Sequence, residues 1–323
     1  MNQRIVINAT IKTVAPLSIK MPPAEGGRAG EFENFPLMTR GVDADGNKQK
    51  TAFLPATTLR GFLRRAVTLR NMQAAADAGK PYRLPQIYSE MIGQDAESEK
   101  QAGDIDLLAL KAAREASPVL DLFGSGLGIK SRLKVSHFVP ASNILPDSFT
   151  GTRKDLDDTE EAMELMDKSD MSAFLQRSQS NTKRANAAAV VKQLEVPIRR
   201  AEKKGDAIPK DKVTALEVAK AELAKFENEM GDMQNSTRTI LTHYALGAGL
   251  ELSGRLVVEN SKAADLELLE YGLDQLSRKP VLGAHSARGC GEIEGTFQFY
   301  DTDGELLKSV VIGGYKPARV TNF

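Results

Sequence analysis

Apolar and polar positions alternate from the first strand-like segment onward. In residues 4–14, Ile5, Ile7, Ala9 and Ile11 share one face, and Arg4, Asn8, Thr10 and Lys12 share the other with Val6. A period of two with one apolar face predicts a half-buried strand. The period changes at 57–70, where Leu59, Phe62, Leu63, Ala66, Val67 and Arg70 follow helical spacing. Pro55 lies just upstream, and Thr57 or Thr58 is placed to cap this helix. Arg60 and Arg64 stand one turn apart on its polar side, next to Arg65. Alternation returns at 131–139, with Leu133, Val135, His137 and Val139 set against Arg132, Lys134, Ser136 and Phe138. It returns again at 250–258, where Leu250, Leu252, Gly254, Leu256 and Val258 share a face. Leu266, Leu269, Leu273 and Leu276 then predict a helix over about 263–278, and Ile293, Phe297 and Phe299 predict a last strand.

With insertions set aside, the element order is β, α, β, β, α, β. That order predicts an α+β fold with a ferredoxin-like or RRM-like sheet. The interruptions are large. Residues 21–50 are rich in Gly, Pro and charge and read as a long loop with a hairpin turn at 44–47. Residues 71–118 read as irregular helical insertions, and LFGSGLGIKS (122–131) as a glycine-rich turn. An acidic block (Asp155, Asp157, Asp158, Glu160, Glu161, Glu164) precedes an Ala-rich helical stretch, and residues 177–212 hold ten Lys/Arg against four acids. Pro197 is expected to break or kink a helix there. Val213, Leu216, Leu223, Phe226 and Met230 mark another helix over 213–230. The expected organisation is a β-rich part over 1–140, an insertion over 141–236 and a second β-rich part over 237–323.

Composition narrows the function classes. The 323 residues carry 43 Lys+Arg and 43 Asp+Glu, so a bulk polycation is excluded while a local basic face is not. Trp is absent and Phe and Tyr number 12 and 6, which limits broad base-stacking platforms. The single cysteine, Cys290, excludes an internal disulfide framework and a multi-Cys zinc site, and fits a reducing compartment. The first 20 residues lack a signal-peptide core, and no window reaches 18 apolar residues. The expectation is a soluble cytoplasmic protein without a membrane partner.

Catalytic and cofactor motifs fail on spacing. GSGLGIKS (124–131) looks like a phosphate loop, but Ile129 separates Gly128 from Lys130. GCGEIEG (289–295) has the wrong spacing for a dinucleotide fingerprint and follows a helix. His137, His243 and His285 form no metal-ligand spacing, and His137 falls on the apolar side of its segment, as a core histidine would. No cofactor, metal or catalytic residue is expected. What remains is a phosphate track. Thr57, Thr58 and Arg60 lie at a helix start, Arg132 and Lys134 on one side of a strand, and His285, Ser286 and Arg288 in a glycine loop.

Three blocks occur in a telling order: LPATTLRGFLRRA (54–66), LFGSGLGIKSRLKVSHFVPAS (122–142) and GAHSARGCGEIEG (283–295). The chain resembles the RAMP superfamily of CRISPR proteins, and most nearly the backbone (Cas-seven-type) subunit of type III and type IV effectors. The resemblance implies a ferredoxin-like palm with a thumb and inserted subdomains, and head-to-tail copies of the protein along a CRISPR RNA. It implies further effector subunits, a helicase, and a complementary target of DNA or RNA as partners. Carried over by motif, Thr57, Thr58, Arg60, Arg64, Arg132 and Lys134 would contact guide phosphates. Gly283, His285, Ser286, Arg288, Gly289 and Gly291 would form the loop beside the RNA. The thumb is expected near 140–160, with Phe149 and Arg153 as contacts.

Departures from the pattern matter too. Type III subunits cleave with an Asp in the loop after the first strand. Residues 25–40 here contain no Asp, though Glu31 and Glu33 lie in that region. The family's Arg-Asp after the second strand is replaced by Ser136-His137. A non-cleaving, type IV-like subunit is therefore expected. The rival readings are a ribonuclease using Glu31 or Glu33 with Mg²⁺, or His137 as base, and a helical interaction scaffold.

Overall fold

The computed structural model describes residues 3–20, 35–42, 45–93, 107–126, 129–152, 167–204, 210–230 and 240–323. The chain divides into two compact units, one made of 1–149 with 243–323 and the other of 150–242.

The first unit is built on an antiparallel sheet. Its strands are β1 (Ile5–Thr13), β4 (Leu133–Val135), β5 (Val139–Pro140), β8 (Glu251–Val258), β9 (Ile293–Tyr300), β10 (Leu306–Ile312) and β11 (Arg319–Asn322). The spatial order is β11-β10-β9-β1-β8-β4, and β5 also pairs with β8. β1 sits centrally, pairing with β8 on one side and β9 on the other, and its middle inward residues find apolar or glycine partners on both. Ile7 lies opposite Leu256 and Phe299, and Ala9 opposite Gly254 and Phe297. Two helices, α1 (Ala56–Asp77) and α7 (Ala263–Arg278), supply the rest of that core through Leu59, Leu63 and Val67 and through Leu269, Leu273 and Leu276. Gly272 permits the close helix approach, since a Cβ there would lie 2.9 Å from Leu63 Cδ2. The other sheet face is polar. Its cross-strand rows read Arg255–Asn8–Gln298, Ser253–Thr10–Thr296 and Glu251–Lys12–Glu294.

Two sequence expectations change here. The strand at 293–300 is not the last, because β10 and β11 extend the sheet and bury Val310 and Ile312. The segment 131–139 is not one strand. After β4 the chain leaves the sheet, and Phe138 exchanges both backbone hydrogen bonds with Leu54, at 2.9 Å each. The Phe138 ring is fully buried over Gly254, 2.7 Å from where a Cβ would stand. This detour turns His137 outward, so it is exposed and not the expected core histidine.

Shorter elements fill the connections. A hairpin, β2 (Leu37–Val42) and β3 (Lys48–Ala52), turns at Asp45-Gly46 as expected. Residues 84–123 hold α2 (Leu84–Ile87), a π-helical turn (Tyr88–Ile92), α3 (Leu107–Ala116) and α4 (Pro118–Phe123). Ser117 caps α4 by accepting from Leu120 N–H at 3.2 Å.

The second unit is a helical hairpin, α5 (Lys168–Lys204) and α6 (Lys210–Met230). Ala187, Val191, Ile198 and Ala219 are buried in it, and Lys220 meets Glu195 across it at 2.8 Å. α5 runs through Pro197 without ending, contrary to the expected break. Pro197 is exposed, as is Gln193 one turn before it, so water can satisfy the carbonyl that proline leaves unpaired. Strands β6 (Asp147–Thr152) and β7 (Ile240–Ala245) pair at the root of this insertion. The acidic block 155–164, Arg153, Glu31 and Glu33 lie outside the described residues. Among the described residues, no helix is long and apolar enough to cross a membrane.

Candidate nucleic-acid interface

The start of α1 presents backbone donors. Pro55 precedes the helix and offers no side-chain cap. Thr58 N–H bonds back to Pro55 O at 3.0 Å, and Ala56 N–H donates to His137 Nδ1 at 3.1 Å. The imidazole thus serves as the helix cap, with its ring against Phe53 at 4.6 Å between centroids. Thr57 is exposed, and its N–H has no partner among the described residues. A free donor at the positive end of a 22-residue helix suits an anion.

The arginines of this helix are committed elsewhere. Arg64 is buried; its Nε donates to Glu90 O at 2.5 Å and its Nη2 to Ser89 O and Gly124 O at 2.6 and 2.8 Å. Burial and then the Arg60 charge push it down to about 10, against the pull of Glu90. Arg60 donates to Phe123 O, while its buried Nε has no partner among the described residues. Arg60 and Arg64 therefore fasten the LFG turn to α1. Arg64 is removed from the predicted phosphate contacts because it is buried and its Nε and Nη2 are spent on protein carbonyls.

Arg132 is corrected in the same way. It is 8% exposed and grips two carboxylates, Asp121 at 2.7 Å and Asp265 at 2.6 and 2.7 Å. It also donates to Asn260 O at 2.8 Å. Burial disfavours its charge, but Asp265 and Asp121 outweigh that and raise it above the ordinary arginine range. Burial pushes Asp121 up, but hydrogen bonds from Lys262 and Arg132 win and hold it below the usual carboxylate value. The cluster joins α4, β4 and the start of α7, where Asp265 also accepts Lys262 N–H at 2.8 Å. Lys134 is exposed and ion-paired to Glu259 across β4 and β8.

The glycine loop is the third part. Gly283 (φ +86) and Gly291 (φ +95) leave no room for a side chain, since a Cβ would fall 2.3 Å from Ser18 O and 2.2 Å from Leu282 O. Ala284 N–H to Ser18 O and Gly291 N–H to Pro16 O pin the loop ends beside the exit of β1. Between the pins, His285 adopts a left-handed conformation (φ +59) ahead of a short turn, Ser286–Arg288. Gly289 (φ +77) closes that turn in open space. Ser286 and Arg288 are exposed.

A ring column meets this loop. Phe149 on β6 stacks on His243 of β7 at 5.8 Å, and His243 lies against His285 at 4.5 Å. His243 Nε2 is 3.5 Å from the buried Cys290 Sγ, and its Nδ1 is buried without a partner among the described residues. Arg288 Nη1 lies 3.2 Å from His285 Nδ1. Burial lowers His285, and His243, Arg288 and Lys20 lower it further. Burial raises the Cys290 thiol, partly offset by Arg288. Sequence reasoning missed the pairing of His243 with His285, and the buried roles of Arg64 and Arg132, because each partner lies far away in the chain. Among the described residues, no group of three or more His, Cys, Asp or Glu is placed to hold a metal ion.

Comparison with known proteins adds the family. No curated protein matches the chain. One chain of a solved "Type IV-B CRISPR Complex" is 13% identical, with 90% of each chain covered and a TM-score of 0.46. The model of the RAMP superfamily matches residues 36–294, from the first hairpin to the start of β9, taking in the first two motif blocks and all but the last residue of the third. The chain belongs to the RAMP superfamily.

Proposed function

We propose that this protein is a guide-RNA-binding backbone subunit of a CRISPR effector, repeated head to tail along the RNA. The observation that carries the proposal is the superfamily match over 36–294. The strand order β9-β1-β8-β4, with α1 and α7 as its connecting helices, supports reading the sheet as a ferredoxin-like palm. The RNA would run past the start of α1 and the glycine loop. Thr57 and Thr58 contribute at the first, and His285, Ser286 and Arg288 at the second. Phe149, at the root of the insertion, would be a contact from the thumb expected near 140–160. In this scheme the protein holds phosphates and base pairing reads the sequence.

We read the subunit as non-cleaving, with a complementary strand, other copies of itself and further effector subunits as partners. The departures from the type III pattern in 25–40 and at Ser136-His137 support that reading. The test is a native gel shift on a single-stranded RNA of about 30 nucleotides, since multiple copies on one strand give discrete steps. A ladder of bands is expected. One band would reject the repeated assembly, and no band at low salt would reject RNA binding. A regular ladder of cut products from a complementary RNA would reject the non-cleaving reading.

A further inference from the structure

We propose that the glycine loop binds its phosphate together with a proton, which His285 accepts. This rests on the reading that the loop faces RNA phosphates. The groups around His285 are cationic or neutral on every side. Lys20 approaches from the segment after β1, His243 from β7, and Arg288 and Cys290 from the loop itself. From β6 comes Phe149, stacked behind His243, while the carboxylate of that strand, Asp147, lies toward Gly247 instead. No carboxylate among the described residues acts on His285.

The hydrogen bonding fixes where the proton goes. A guanidinium has only donors, so the 3.2 Å contact makes His285 Nδ1 the acceptor and leaves the ring proton on Nε2. The imidazole is neutral in that arrangement. Lys20 and Arg288 have no ion-pair partner among the described residues, and both are exposed. A phosphate arriving here meets two cations and reverses the sign of the local field. Arg288 turns to the phosphate and releases Nδ1. A proton from solvent then adds to Nδ1, giving an imidazolium beside the anion. Nothing is oxidised and no covalent bond is broken in the protein. The ring column holds the imidazole in place while its charge changes, because the tilted His243 ring packs against it at 4.5 Å.

Linkage gives the sign. The free site holds His285 below the ordinary histidine value of 6.5, and an adjacent phosphate anion favours the charged ring, so binding takes up protons in the pH range between the free and bound values. Affinity rises as pH falls, by at most about tenfold per pH unit for one proton.

The experiment is calorimetric titration of the full chain with a single-stranded RNA of about 30 nucleotides. It is run from pH 6 to pH 8 in pairs of non-phosphate buffers that differ in ionisation enthalpy. Wild type is expected to take up a measurable fraction of a proton per site, never more than one, with the maximum near pH 6.5. His285→Gln, which keeps a polar side chain but cannot titrate, loses that uptake, while His243→Gln retains it. Binding without proton uptake in wild type, or uptake unchanged in His285→Gln, overturns the coupling and leaves the RNA reading intact. No RNA binding at any pH overturns the RNA reading itself.

Discussion

Replacing Arg132 with Met tests whether a motif arginine holds the fold or the RNA. The guanidinium forms two-pronged contacts with both Asp121 and Asp265 and a further bond to Asn260 O. Methionine keeps the aliphatic bulk and removes every donor. It strands two carboxylates that are 8% and 3% exposed, and leaves Lys262 and the more distant Arg114, at 2.6 and 3.5 Å, to answer Asp121. Breaking a buried ion pair from one side costs about 3–5 kcal/mol. For a unit of this size that lowers the melting midpoint by roughly 6–20 °C. The assay is thermal and denaturant unfolding, followed by RNA binding at a temperature where the variant is folded. Adding Asp121→Asn and Asp265→Asn to the variant should recover much of the loss, because the stranded charges are then gone. The amide oxygen that Asp265→Asn supplies can still accept the Lys262 N–H, so the start of α7 keeps its cap. A loss below about 1 kcal/mol, with a shallower salt dependence of RNA binding, would refute the buried-cluster reading and make Arg132 a phosphate ligand.

Other consequences are direct. Gly254→Ala should cost about 1–3 kcal/mol by pushing the buried Phe138 ring, and a stability unchanged in urea unfolding would mean that the ring has room to move. His137→Ala removes the acceptor for Ala56 N–H and should cost about 1 kcal/mol, read by the same unfolding assay, whereas a neutral result would show that water caps α1 equally well. The pH dependence of stability has two parts. His285 is lowered in the folded state, so the RNA-free protein loses stability as pH falls through 6.5 toward the lowered value; His285→Gln should flatten that limb. Asp121 is also lowered, so its contribution is present above the ordinary value of 3.8 and is lost as pH falls further.

Local patterns were legible where one face decides the structure. The alternation of Ile5, Ile7, Ala9 and Ile11 and the helical spacing of Leu266, Leu269, Leu273 and Leu276 both report burial against a single apolar layer. Misreadings arose where a distant partner outweighs the local pattern. The period-two pattern through 139 placed His137 in the core, but the exchange of hydrogen bonds between Phe138 and Leu54 takes the chain out of the sheet. Arg64 and Arg132 looked like surface cations because each falls on the polar side of its helical or strand pattern. Their acceptors, Glu90 O, Gly124 O and Asp265, lie 26, 60 and 133 positions away. The glycine loop was legible as a turn. Its histidine partner was not, since His243 belongs to a strand at the far end of the insertion.

These placements separate the cations that build the scaffold from those that can serve a ligand. Arg60 and Arg64 spend donors on the LFG carbonyls, Arg132 on two aspartates, and Lys134 on Glu259. Lys20 and Arg288 stand beside the glycine loop with no acid partner among the described residues. A cation that already has a carboxylate releases no new counterion when RNA arrives, because its charge is compensated beforehand. An unpaired one contributes its share, about 0.7 in the slope of log affinity against log salt for a single strand. Arg288→Ala should therefore lower that slope by roughly this amount for all RNA sequences alike, while melting as wild type does. Lys134→Ala should leave the slope nearly unchanged. The opposite ranking, with Lys134 carrying the salt dependence and Arg288 silent, would place the RNA along β4 and β8, away from the glycine loop.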